Sequence, residues 1–262
     1  MKTRIISGAC MVPLLGLVYL GGYWLSAFCF LLGILGVREF LNGFRNMGFK
    51  PSEPIAFVSI FVLYAINLFW PMNFTYIMAW LAASVIACQL YLFHVEEHKA
   101  EDTLITMMGI VYVIFFSFHI VLVDQTGPYS ILIWTVILAA AGTDIFAYFI
   151  GSALGKHKLC PHLSPKKSIE GAIGGVIGSV ALCALFAYLF APYLMLHFVL
   201  IGLIGSPFAQ CGDLAASAYK RKMGIKDYSN LIPGHGGIMD RIDSMLFMAP
   251  FVFYYIQLVL VR

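Results

Sequence analysis

The chain has 262 residues, 61% of them hydrophobic and only 11% charged, with a mean hydropathy of +0.89. Soluble domains carry roughly 25% charged residues, so this composition excludes a soluble globular protein and marks an integral membrane protein. The formal charge of +3 is too small to suggest a nucleic-acid partner, and no polar block is long enough for a separate soluble domain. Residues 1–262 therefore read as a single membrane domain, with approximate halves at 1–125 and 126–262.

Taken in chain order, apolar runs cut by Gly, Pro or charge predict about nine helical spans, on the rule that roughly 20 apolar residues cross a bilayer. They fall near 5–20, 23–42, 54–70, 72–93, 103–123, 129–150, 171–191, 194–219 and 243–261. The expected fold class is thus all-α and polytopic. The basic start followed by an apolar run reads as a retained first helix, because the next span follows without a polar mature domain. The six cysteines lie mostly in apolar runs, never in C-x-x-C spacing, and read as small buried hydrophobes.

Orientation follows from the lysines and arginines. With the N-terminus in the cytoplasm, one side collects Lys2, Arg4, Arg38, Arg45, Lys50, Lys99, Lys156, Lys158, Lys166, Lys167, Lys220, Arg221, Lys222, Lys226 and Arg241, and only Arg262 falls outside. Cytoplasmic loops carry the Lys/Arg excess, so the bias supports an odd number of spans.

Two segments on that side are too polar to be mere connectors. In the first, 151–171, Pro165 holds Ser164 extended, Ser168 is placed to cap the next helix, and Glu170 suits its positive end. That helix carries Gly171, Gly174, Gly175 and Gly178 in overlapping G-x-x-x-G pairs, which let another helix approach closely. No strand precedes them in the reading, so they are not a nucleotide fingerprint.

The second segment, Cys211 to Asp243, concentrates the chemistry. Asp213 lies near the end of the eighth span, with Ser217 and Lys220 on the same helical face. Ionisable groups at membrane depth are functional by default, although a buried Asp–Lys pair joining two helices is the plainer account. Asp240 and Asp243 stand three apart in GIMDRID, so both project to one side of a first helical turn. Converging carboxylates without matching bases are how hard divalent cations are held, and Mg²⁺ pairs with one or two of them plus substrate phosphates. The competing account is a pair of acids favoured by the helix dipole.

Between these carboxylates lies Pro233-Gly234-His235-Gly236-Gly237, whose glycines permit a turn that aims successive N–H groups at an anion. A plain connecting turn is the alternative. Lys220, Arg221, Lys222 and Lys226, with Lys156, Lys158, Lys166 and Lys167, place a positive field around the same mouth, although positive-inside bias and lipid headgroups account for many of them. Asp144 is a second intramembrane acid, with Tyr148 and Gly151 continuing its face.

Ser217 to Asp243 resembles the signature of the phosphatidate cytidylyltransferases, S-x-(aliphatic)-K-R-x4-K-D-x-(small)-x2-(aliphatic)-P-x-H-G-G-(aliphatic)-x-D-R-(aliphatic)-D, with Tyr219 at the first aliphatic place. Ser164 to Gly171 resembles the upstream S-P-x-K-[ST]-x-x-G segment. The resemblance covers the whole chain. It implies an enzyme of phospholipid biosynthesis that turns CTP and phosphatidate into CDP-diacylglycerol and pyrophosphate. Asp213, Asp240 and Asp243 would ligate Mg²⁺, with room for a second cation. Lys226 and Asp227 would join them in catalysis. Ser217, Lys220, Arg221, His235, Gly236, Gly237, Arg241, Lys166, Lys167 and Asp144 would bind substrate.

The expected setting is the inner membrane of a bacterium, with the catalytic loops cytoplasmic. CTP, phosphatidate and membrane lipid are the expected partners, together with a homodimer and without nucleic acid. Two alternatives stand beside this reading. One is a CTP-dependent transferase or kinase acting on an isoprenoid lipid; the other, from a different class, is a transporter, which would place polar groups along a path to both faces.

Overall fold

The computed structural model of the protein describes Pro13 and residues 15–261. The expected first span, 5–20, lies largely outside the described residues; positions 15–20 are helical. The helices are α1 (Gly22–Arg45), α2 (Glu53–Phe69), α3 (Phe74–Tyr91), α4 (Ala100–Asp124), α5 (Ile133–Leu154), α6 (Ile169–Phe190), α7 (Met195–Lys222) and α8 (Met239–Tyr255). Seven helices among the described residues are long and apolar enough to cross a membrane, and Glu53–Phe69 is a shorter apolar helix. The protein is an all-α polytopic membrane protein.

Local chemistry explains the boundaries. Ser52 and Asn73 cap α2 and α3 through side-chain oxygens that accept from Ile55 and Tyr76 amides. Ser168 caps α6 by accepting from Gly171 N at 3.1 Å, as its placement predicts. Helix α1 runs past the expected end at 42 because Arg45 is held there, its guanidinium 2.6 Å from Glu53 and also bonded to Asn42. Helix α4 is π-helical from Gly109 to Phe115. Such a turn shifts the side-chain register by one position.

Among the described residues the one pair of strands is an antiparallel hairpin, β1 (Lys158–Cys160) and β2 (Ser164–Ser168), directly before α6, where the sequence reading places no strand. Its strands are too short to show a period, but Pro165 does keep its neighbour extended.

The chain separates into two compact units. One comprises the chain up to Gln125 together with Lys222–Arg241; the other comprises Thr126–Arg221 and Ile242–Arg262. Helix α8 thus begins in the first unit and continues in the second. In the second unit the expected close approach of helices is present, since the α6 glycines face α5. A Cβ at Gly171 would lie 2.8 Å from the Ala147 carbonyl, one at Gly174 would lie 2.5 Å from Ile150, and one at Gly178 would overlap the Phe146 ring. Helices α7 and α8 pack through stacked Phe208 and Phe251, 4.9 Å apart.

Candidate functional site

The site residues expected from sequence divide between the two units, and each set has its own geometry. In the second unit a cavity of about 380 Å³ opens between α5, the hairpin and α6. Thr143, Asp144, Tyr148, Lys167, Ser168 and Gln210 are among its walls, and its surface is mostly apolar. Gln210 is held by its amide, which donates to the Ala172 carbonyl at 3.1 Å.

Lys167 forms an ion pair with Asp213. The pair joins the hairpin to α7, with about a quarter of each side chain exposed (29% and 23%). Burial pushes the Lys167 ammonium below its ordinary value, while the carboxylates of Asp144 and Asp243 hold it up and the neighbouring Lys220 pushes it down. One ammonium therefore sits in the field of three acids that the sequence read separately. Asp144 is an exposed side chain at this cavity, Lys166 is exposed beside it, and Ser217 is half-buried. Arg221 donates to the Leu163 carbonyl at 3.4 Å, a second tie from α7 to the hairpin.

Asp243 is brought to the same place by a glycine contact. A Cβ at Gly212 would fall 2.5 Å from the Asp243 carbonyl and 3.2 Å from Ser244 Cα, so the backbones of α7 and α8 nearly touch. Asp213 follows that glycine on one helix, and Asp243 lies at the contact on the other.

In the first unit, Lys222–Arg241 folds into a closed loop. Ile232 and Gly236 form an isolated bridge with Ile232 N donating to Gly236 O at 2.9 Å, and His235 N donates to Ile232 O at 2.9 Å. Gly234 and Gly236 take φ of 79° and 83°, a region that side chains disfavour. Asp240 is buried, and its Oδ2 accepts from Tyr228 N at 2.8 Å and Gly237 N at 3.0 Å. Glu39, from α1, accepts from Ser229 Oγ at 2.6 Å, Ile238 N at 3.1 Å and Met239 N at 2.9 Å. The amides from Gly237 to Met239 are thus aimed at anions, as the glycine turn predicts, but these anions are carboxylates of the chain itself. Lys226, Asp227 and Arg241 are exposed, and His235 is half-buried.

Among the described residues no three His, Cys, Asp or Glu side chains gather as an all-protein metal cage. The donor set still suits a hard cation. Asp213 and Asp243 offer carboxylate oxygens on adjoining helices, and Mg²⁺ is commonly held by one or two carboxylates together with substrate phosphates.

Sequence reasoning missed Glu39, Gln210 and Thr143. Gln210 stands three residues before Asp213 and seven before Ser217, so the helical face already identified extends back to it. Glu39 is an acid inside the second apolar run, the kind of placement that made Asp144 a candidate.

The model of the cytidylyltransferase family matches residues 2–259. The chain is 34% identical over 266 residues to the phosphatidate cytidylyltransferase of Staphylococcus haemolyticus, covering 95% of this chain and 96% of that one. It is 32% identical over 257 residues to that of Staphylococcus aureus strain COL, with the same two coverages. The alignment to the enzyme of Bacillus subtilis is 45% identical over 138 residues, 52% of this chain and 50% of that one.

Proposed function

The chain belongs to the cytidylyltransferase family, and we propose that it converts CTP and phosphatidate into CDP-diacylglycerol and pyrophosphate. The observation that carries this reading is the Lys167–Asp213 pair beside the cavity of the second unit. A lipid phosphate needs a cation next to an apolar surface, and Lys167 lines the same cavity as Tyr148, which is 71% exposed.

In the reaction, an oxygen of the phosphatidate monoester attacks the α-phosphorus of CTP. The bond from that phosphorus to the bridging oxygen breaks, and pyrophosphate leaves with the electron pair. The nucleophile is already ionised near neutral pH, because the second phosphate pKa lies near ~6, so no Ser or Cys nucleophile is required. The protein's work is to bring two polyanions together and neutralise charge. Lys167, with Lys166, Lys220 and Arg221, binds phosphate oxygens; Lys226 and Arg241 are further phosphate-binding residues in this reading. Asp227 and Ser217 order their surroundings, and His235 contributes a hydrogen bond from the glycine turn.

Asp213 and Asp243 would hold Mg²⁺ in the second unit; Asp240, the third carboxylate expected as a ligand, has one oxygen committed to the turn in the first unit. When bound, the ion offsets negative charge on the reacting phosphates. We place the basic loops on the cytoplasmic face of a bacterial inner membrane, on the positive-inside bias, and expect a homodimer.

The test is transfer of label from α-labelled CTP into lipid by the purified protein in mixed micelles with phosphatidate. Label in CDP-diacylglycerol that disappears with EDTA is the expected result. Label only with an isoprenoid lipid substrate would overturn the choice of acceptor, and full activity in EDTA would overturn the metal.

A further inference from the structure

We propose that Glu39 is a positioning residue for the reaction, fixing the glycine turn and the start of α8 from α1; the kinetic part of this proposal rests on the cytidylyltransferase reading.

Helix α1 meets both ends of the segment Lys222–Arg241. Near the segment's beginning, the Met223 sulfur fills the space that a Cβ on Gly43 would need. At its end, the Glu39 carboxylate receives the amides of Ile238 and Met239. Glu39 and Gly43 are four residues apart, so one turn of α1 presents both contacts on one face. The loop is closed on a single helical turn, with an apolar clasp at one end and an ionic one at the other.

The chemistry of the ionic clasp requires a carboxylate. Oε1 accepts from both Ser229 Oγ and Ile238 N, and Oε2 accepts from Met239 N. Acceptor capacity on both oxygens belongs to the ionised form; an amide turns one of them into a donor. The start of a helix also carries partial positive charge, which favours a negative group there. Glu39 is only 8% exposed, and its three partners compensate its removal from water. Gly237 lies against the same carboxylate so closely that a Cβ would overlap it. The third glycine of the turn is thus required by Glu39, not by a left-handed backbone conformation.

Asp240 and Arg241 follow Met239 directly. Their approach to substrate depends on where α8 starts and how its first turn is rotated. Glu39 touches no reacting atom in this scheme and acts through the turn.

The test compares wild type, Glu39→Gln and Ser229→Ala. Hydrogen exchange of the peptide containing Gly237–Met239 is measured by mass spectrometry, beside CTP and phosphatidate kinetics. Glu39→Gln is near-isosteric and leaves one oxygen, so it disturbs the clasp without opening a cavity. The expected result is at least tenfold faster exchange at those amides with α1 to α4 unchanged, a kcat at least tenfold lower, and a phosphatidate KM within twofold of wild type. Ser229→Ala is expected to show the same pattern more weakly.

Unchanged exchange would overturn the proposal, even if kcat fell. Faster exchange throughout α1 to α4 would overturn it in favour of a general packing role. Should wild type lack CTP–phosphatidate turnover while the local exchange effect holds, the clasp stands and the reaction assignment is what fails.

Discussion

Lys167 offers the sharpest quantitative test, because one ammonium answers several carboxylates. Its ion pair with Asp213 is about three-quarters buried on each side. Two unit charges at ~4 Å interact by about 4 kcal/mol at an effective dielectric of 20, whereas fully exposed pairs contribute roughly 0.2–1 kcal/mol. Partial exposure places the Lys167–Asp213 coupling between these limits, at about 1–3 kcal/mol. The two single substitutions are not equivalent. Asp213→Asn leaves the ammonium with Asp144 and Asp243, whose carboxylates already act on it, so the loss is about 1–2 kcal/mol. Lys167→Ala removes the shared cation and leaves three acids to repel one another, so the loss is larger, about 3 kcal/mol. The double variant is therefore expected to lose less than the sum. Unfolding of all four proteins in mixed micelles gives the cycle directly. A second arm adds Mg²⁺, which should stabilise Lys167→Ala more than wild type, since bound ligand at 100 times its dissociation constant contributes about 2.7 kcal/mol. Equal single losses that add in the double variant would refute the picture of one ammonium shared among acids.

Three further outcomes follow from the same geometry. Gly237→Ala should lower kcat at least tenfold by displacing the Glu39 carboxylate, and adding Glu39→Ala should cause little further loss because the clasp is already broken; steady-state kinetics of the three variants decide it. Lys167 has its proton affinity lowered by burial, so its charge is lost at a lower pH than for an ordinary lysine, near 10.5, and activity should fall on the alkaline side as pH rises. Lys167→Arg stays charged throughout and should move that limb upward; an unmoved limb would exclude Lys167 as its source. The linkage has the opposite sign for stability, since the penalty on the buried ammonium is present below its folded pKa and is relieved as pH rises toward 10.5. Gly178→Ala should destabilise by about 1–3 kcal/mol through overpacking against Phe146, and Phe146→Ala should relieve part of that loss in thermal unfolding.

The parts of the fold that could be read from sequence are those set by nearby residues. Small residues at Gly171, Gly174, Gly175 and Gly178 repeat at helical spacing, so their packing face was visible without knowing its partner. Ser168 and Pro165 act on their own neighbours, and both do in the structure what their chemistry predicts. The hairpin was not legible, because strands of three and five residues carry no period and owe their pairing to each other. The sequence marks Asp213 as an acid needing a reason and Lys167 as one base among several. Their pairing depends on how the hairpin meets α7, which local spacing does not encode.

Glu39 shows that the electrostatics of the turn admit more than one anion. A glycine turn leading into a helix presents N–H groups and partial positive charge, so an anion belongs beside it. From the motif alone that anion is naturally a substrate phosphate. The structure supplies two of its own, Asp240 from within the motif and Glu39 from 190 residues before Ser229. Both answers satisfy the same electrostatics. What distinguishes them is long-range packing of α1 against the segment, and that contact appears in sequence only as an acid in an apolar run. A turn whose amides already hold internal carboxylates is preorganised before any nucleotide arrives. On the proposal made for Glu39, the turn serves phosphate transfer by aiming Asp240 and Arg241, and the perturbation that tests this sits on α1.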